Sequence, residues 1–182
     1  MNATKYVVID TETSGLSKSD TVLQLAYEQF DGAGNCLNSY NKIFRPSHDY
    51  EIHPEAAKVN NLTKVYIELN GEHSSHYYNE LQYLRSVADD GAIFVGHNVS
   101  FDLRIINQDL MRYGVGKFDP TTYCTKNNGR IRDWTGISQP SLLKLYTYLF
   151  NEIFDGAHDA LADVRATARC FFELKRLGIV TI

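Results

Sequence analysis

A chain of 182 residues fits a single domain, and 43% hydrophobic residues suffice for a sizeable core. The net charge of −4 excludes a protein that holds nucleic acid by charge alone and argues against an anionic membrane surface as partner. Three widely spaced cysteines, Cys36, Cys124 and Cys170, make neither a disulfide framework nor a zinc pattern. With no signal peptide or membrane span in view, the expectation is a cytoplasmic domain covering residues 1–182, with no membrane partner.

The first predicted element is Tyr6–Ile9, a continuous apolar run that suits a strand buried on both faces and stops at Asp10. A second strand runs from Val22 to Phe30, and Asp31–Asn35 reads as a hairpin loop into a third strand, Cys36 to Phe44. Pro54 opens a short helix to Val59, while the rest of Ser47–Ser75 stays unassigned. An amphipathic helix follows over His76–Ala88, with Tyr77, Leu81, Leu84 and Ala88 on one stripe. Ala92–Val95 is a short buried strand. Ser100–Tyr113 is a helix stopped by Gly114 and Gly116, and Phe118–Cys124 is a brief strand. Lys126–Pro140 reads as a polar loop, and helices over Ser141–Phe150 and Ala160–Leu177 complete the chain. A strand meander followed by alternating strands and helices predicts an α/β fold, a mixed five-stranded sheet flanked by helices.

Four acids stand at the ends of these elements. Asp10 and Glu12, two residues apart on a strand, point to one side and repel unless a shared proton or a metal compensates; a plain polar turn is the alternative. Asp102 falls in the first turn of its helix, where the helix dipole alone favours an acid, yet Gly96-His97-Asn98 just before it closes a buried strand. On the last helix, Arg165, Arg169, Glu173 and Arg176 form a charged row. Asp163 lies about 200° from Arg165, in the inward row of Ala160, Thr167 and Leu174, so it needs a buried partner or a cation. His158 falls in the loop before that helix, with Asp159 as N-cap. All four acids offer hard oxygen donors, which favours Mg²⁺ or Mn²⁺ over Zn²⁺. Two such ions about 4 Å apart suit phosphodiester hydrolysis. His158 is placed to take the proton from the attacking water, since an imidazole has a reference pKa of about 6.5.

Ile9–Leu16, Gly96-His97-Asn98 through Phe101-Asp102, and His158–Val164 together resemble the three exonuclease motifs of the DEDDh (DnaQ-like) superfamily. That superfamily includes polymerase proofreading subunits, RNase T and oligoribonuclease. The motifs occur in order, and the resemblance spans about Lys5 to Leu174. It implies an RNase H-like fold and a two-metal 3′–5′ exonuclease acting on single-stranded DNA or RNA to give nucleoside 5′-monophosphates. It implies Asp10, Glu12, Asp102 and Asp163 as metal ligands and His158 as general base. Leu16 would pack on the terminal base, Thr11 and Asn98 would contact the terminal nucleotide, and Phe101 would support the site. Ordinary core packing is the alternative for Leu16 and Phe101.

The resemblance leaves a polymerase or other replication partner, a homodimer and the choice between DNA and RNA open. Within Lys126–Pro140, Arg130, Arg132 and Trp134 offer a way to hold a strand, against the commoner arrangement of a solvated loop with one buried anchor. Two other functions share much of the pattern. A catalytically silent binding module would have lost an acid, and here none is missing. A phosphoesterase for small esters needs only the metal site.

Overall fold

The computed structural model describes residues 4–182. Among the described residues, six strands form one mixed sheet in the order β4-β3-β2-β1-β5-β6. β1 (Tyr6–Thr13), β2 (Val22–Phe30) and β3 (Cys36–Arg45) form the antiparallel meander. β5 (Ile93–Gly96) adds parallel to β1, and β6 (Thr122–Cys124) parallel to β5. The α/β expectation holds, but the sheet has six strands rather than five. The extra one, β4 (Glu72–His73), is two residues long and pairs with Phe44 and Arg45, too short to leave any alternation in the sequence.

Seven helices complete the described residues. α1 (Pro54–Asn60) carries proline in its first turn, as expected. α2 (Lys64–Asn70) fills part of the unassigned segment, capped by Thr63 accepting from the Tyr66 N–H. α3 (Ser74–Asp89) and α4 (Val99–Arg112) follow. α5 (Gly129–Thr135) corrects the reading of 126–140 as a loop: Asn128 caps it by accepting from the Arg130 and Ile131 N–H groups, and Gly136 ends it at φ 71°. α6 (Leu142–Phe150) and α7 (Ala160–Arg176) lie where the apolar spacing put them. No helix among the described residues is long and apolar enough to cross a membrane.

Alternation along β1 divides the core. Val7 and Ile9 face a cluster built with α3 and α4, including Tyr77, Leu81, Leu84, Ile106 and Leu110. Tyr6 and Val8 face α6 and α7, including Leu145, Val164, Phe171 and Leu174. Each of these fully buried apolar side chains contributes roughly 1.5–3 kcal/mol. A smaller cluster of Leu23, Tyr50, Leu62 and Ile67 ties α2 to the sheet. On α7 the inward row predicted for Asp163 is real: Ala160, Thr167 and Leu174 are buried, while Arg165, Arg169 and Arg176 are exposed. Phe171→Ala would break this face, at about 3–5 kcal/mol.

Candidate active site

The two neighbours of β1 end at different places. β2 stays paired out to Thr13, while β5 pairs only from Tyr6 to Val8. β1 therefore runs on to Thr13 rather than stopping at Asp10, and beyond Val8 its β5 side is open. Gly96 closes β5 against β1: an added Cβ there would lie 2.8 Å from Val99 Cβ and 3.2 Å from the Ile9 carbonyl oxygen. The chain then turns through Asn98, at φ 89°, into α4. Asp102, in the first turn, accepts at Oδ1 from the Thr11 N–H (3.0 Å) and the Thr11 hydroxyl (2.7 Å). A backbone donor of β1 that would otherwise lack a strand partner is thus satisfied by a carboxylate.

Asp10 and Glu12 project from β1 to the α7 face, and α7 brings Asp163 to meet them. One carboxylate oxygen from each of Asp10, Glu12 and Asp163 lies within 4.8 Å of the others. Asp102 stands outside this trio, yet it acts on Asp10 more strongly than any other charge. Burial, then Asp102, Asp163, Glu12 and Asp159, hold the Asp10 carboxyl well above the usual carboxylate range. Burial pushes Glu12 up to about 8, opposed by a hydrogen bond from Asn60, and pushes Asp102 to about 7, opposed by the two Thr11 bonds. Asp163 is also raised by burial. Four half-buried or buried acids with no cationic side chain among them hold their protons tightly unless a cation takes the protons' place, and an all-oxygen set this close fits a hard divalent cation.

His158 and Asp163 approach the cluster from the α7 N-terminus. Asp159 caps that helix, accepting from the Ala162 N–H at 3.1 Å. His158 lies in the loop as expected, exposed, at φ 71°. That backbone conformation costs about 1–2 kcal/mol for a residue with a side chain. Its N–H donates to Asp163 Oδ2 (3.2 Å), and its charged form would lower the Asp163 pKa.

Beside the acids opens a cavity of about 420 Å³, walled by Thr11, Glu12, Leu16, Phe101 and the α1 residues Ala56, Val59 and Asn60. Leu16 is 77% exposed, so core packing does not explain it. It is held out by its backbone, whose carbonyl accepts from Arg104 (3.1 Å), while the same guanidinium lies 5.1 Å from the Phe101 ring centroid. Phe101 is half-buried and packs on the α4 core as well. Thr11 reaches the cavity although its hydroxyl is committed to Asp102; Asn98 does not line it.

Three contributors were not singled out from sequence: Asn60, which donates to the Thr13 carbonyl, the α1 wall as a whole, and Asp159 as a further negative charge on the cluster. Pro54 at a helix start was the available signal for α1; nothing local linked it to β1. The group in 126–140 does not converge: Arg130 donates to Thr181, Arg132 pairs with Asp133, and Trp134 packs edge-on against Tyr148. The buried anchor there is Ile131. His97, next to the site, is structural. Its Nε2–H donates to the Pro140 carbonyl, its Nδ1 accepts from Thr125, and burial pulls its pKa down to about 4.

The sequence profile of the RNase_T exonuclease family matches residues 7–171. The 3′–5′ exonuclease DinG of Bacillus subtilis is 30% identical over 182 residues, which cover 96% of this chain and 18% of DinG. The PolC-type DNA polymerase III of Lacticaseibacillus paracasei is 27% identical over 175 residues, 94% of this chain and 11% of that protein. The chain thus spans less than a fifth of the length of either relative. Among solved structures, E. coli exonuclease I in complex with a dA16 oligonucleotide shares the fold at a TM-score of 0.80 and 22% identity, over 96% of this chain and 41% of that one.

Proposed function

Because the chain belongs to the RNase_T exonuclease family, we propose that it is a 3′–5′ exonuclease that shortens single-stranded DNA or RNA and releases nucleoside 5′-monophosphates. The observation that carries this reading is the trio Asp10, Glu12 and Asp163, with donor atoms within 4.8 Å of one another beside an open cavity of about 420 Å³. Residues 1–182 would act as a single exonuclease domain. Asp10, Glu12, Asp102 and Asp163 would hold two Mg²⁺ ions, with Mn²⁺ able to substitute. Bound there, the cations would supply charge neutralisation of the phosphodiester and activation of water.

The remaining work falls to side chains of this chain. Leu16, exposed, and Phe101 line the cavity and offer apolar surfaces to the terminal base, with Thr11 in the same lining and Asn98 at the turn before α4 as contacts to the terminal nucleotide. Thr11 holds one oxygen of Asp102 through two hydrogen bonds and so fixes that carboxylate, leaving its second oxygen free of Thr11. His158, exposed in the loop before α7 with its N–H on Asp163, takes the proton from the attacking water. The PolC-type relative and the DNA-bound exonuclease I favour a single-stranded DNA end and a polymerase or replication partner, and a homodimer is compatible with both. Three free cysteines favour a reducing compartment such as the cytoplasm.

Product chemistry tests the reaction. Chromatography of a digest of unlabelled oligonucleotide should yield nucleoside 5′-monophosphates. Release of 3′-monophosphates, or of nucleosides and free phosphate, would contradict attack with departure of the 3′-side oxygen.

A further inference from the structure

β2 is buried along its whole length, so each polar side chain on it needs partners. Glu28 meets Arg165 and Ser39, and Gln29 meets Asn38 and Tyr83. Gln24 has a different destination. It is only 4% exposed and lies directly opposite Glu12 in the β1–β2 register, on the face that carries the acids. Its Nε2 donates to Asp159 Oδ2 at 3.0 Å and to Asn41 Oδ1 at 2.9 Å. Both protons of one amide are thereby used, one on an outer bracket from β3 and one on the residue that follows His158.

Asp159 is held from three further directions. Its Oδ1 caps α7 through the Ala162 N–H, its own N–H donates to the Gly156 carbonyl (3.0 Å), and its carbonyl accepts from the Asp163 N–H (3.0 Å). His158 sits immediately before this fixed point in a left-handed conformation that carries a modest strain for a residue with a side chain. Rotation of the Asp159 carboxylate about its Cα–Cβ bond is stopped by the cap on one oxygen and Gln24 on the other. The direction in which the chain leaves Asp159 backwards is therefore set from β2, across the sheet face shared with Glu12.

We infer that Gln24 is a positioning residue for the reaction: through Asp159 it fixes the loop that holds His158 against Asp163, the α7 member of the carboxylate cluster. This rests on the reading of His158 as general base. Its consequence is a defect in the chemical step with binding intact, because misplacing a reacting group by about 1 Å costs up to a hundredfold in rate.

The test is a double-mutant cycle on Gln24→Leu and His158→Ala, measured with 5′-labelled single-stranded DNA and Mg²⁺. Gln24→Leu keeps the shape and removes both donors. Alone it should lower kcat about tenfold, with KM and the Mg²⁺ concentration for half-maximal rate held within about twofold. In the His158→Ala background the same substitution should cost less than about twofold, because its target is already gone. Asn41→Ala removes only the exposed bracket and should lower kcat in the same direction by a smaller factor, which keeps the test open if Gln24→Leu folds poorly. An equal loss from Gln24→Leu in both backgrounds, or a raised Mg²⁺ requirement, would overturn the inference and assign Gln24 to the metal site or the sheet. A wild-type rate for His158→Ala alone would instead remove the general base and the inference with it.

Discussion

α4 carries two buried acids, Asp102 and Asp109, seven residues apart and therefore on the same side of the helix. They have opposite surroundings. Asp109 is surrounded by donors: the Thr21 hydroxyl (2.7 Å), the Val22 N–H (3.0 Å) and the Arg112 guanidinium (2.6 Å). Asp102 has both Thr11 donors on one oxygen and the like charge of Asp10 close enough to repel it. Burial raises the pKa of both, but only Asp109 has a cation to answer it. The comparison separates an acid that pins a loop to a helix from one whose charge is left for something not made of protein. Burial and a raised pKa do not by themselves make the distinction; the balance of donors does.

Breaking the uncompensated side should have the largest effect on rate. Asp10→Ala removes one member of the trio. Because cation stabilisation of the transition state is worth several kcal/mol, turnover should fall about a thousandfold or more, measured by single-turnover cleavage in Mg²⁺. Thermal denaturation in EDTA should show a melting temperature equal to or above that of the unaltered protein, since crowding is relieved. Breaking the compensated side should do the reverse. Asp109→Ala strands Arg112, Thr21 and Val22 and should cost about 2–4 kcal/mol in urea denaturation, with turnover per folded molecule nearly unchanged.

The sequence pointed to the cluster acids but not to Asp109, whose partners Thr21 and Val22 lie far from it along the chain. The inward row on α7 isolated Asp163 from its charged neighbours, and two-residue spacing put Asp10 and Glu12 on one side. The N-cap role of Asp159 followed from its place before an apolar periodic run. Asp102 was ambiguous because a helix N-terminus attracts acids anyway; what resolves it is the gap left where β5 ends before β1, a property of the sheet and not of the local sequence. α5 is a different kind of miss. Asn128 and Gly136 are ordinary start and stop signals, overlooked because only Ile131 of its seven residues is buried. β4, α2 and the α1 wall of the cavity depend on contacts with β3 and β1 that no short window contains.

A smaller effect sharpens the comparison through pH. Glu12 titrates near 8 in the folded protein because burial raises it, above the value of about 4.3 expected in an unfolded chain. The folded state then binds the proton more tightly, so this group's contribution to stability is full below pH 4 and is lost as pH rises toward 8. Glu12→Gln should therefore raise the melting temperature in EDTA near pH 8 by a few degrees and leave it unchanged near pH 4. An increment independent of pH would show that Glu12 is not protonated in the metal-free protein.

The smallest expected effect concerns the cavity lip. Leu16 is exposed, so Leu16→Ala should leave thermal stability unchanged. It should raise KM for single-stranded DNA by up to about tenfold, the worth of roughly one stacked base. An unchanged KM would take the terminal base away from Leu16.

Under the proposed function, the uncompensated acids would hold divalent cations, which would supply charge neutralisation for cleavage of a strand from its 3′ end. The most direct measurement is a time course on 5′-labelled single-stranded DNA and RNA of equal sequence, run with Mg²⁺, with Mn²⁺ and with EDTA. The predicted result is a ladder shortening from the 3′ end in either metal and an intact strand in EDTA. Strands left intact in both metals, or a ladder that persists in EDTA, would contradict it.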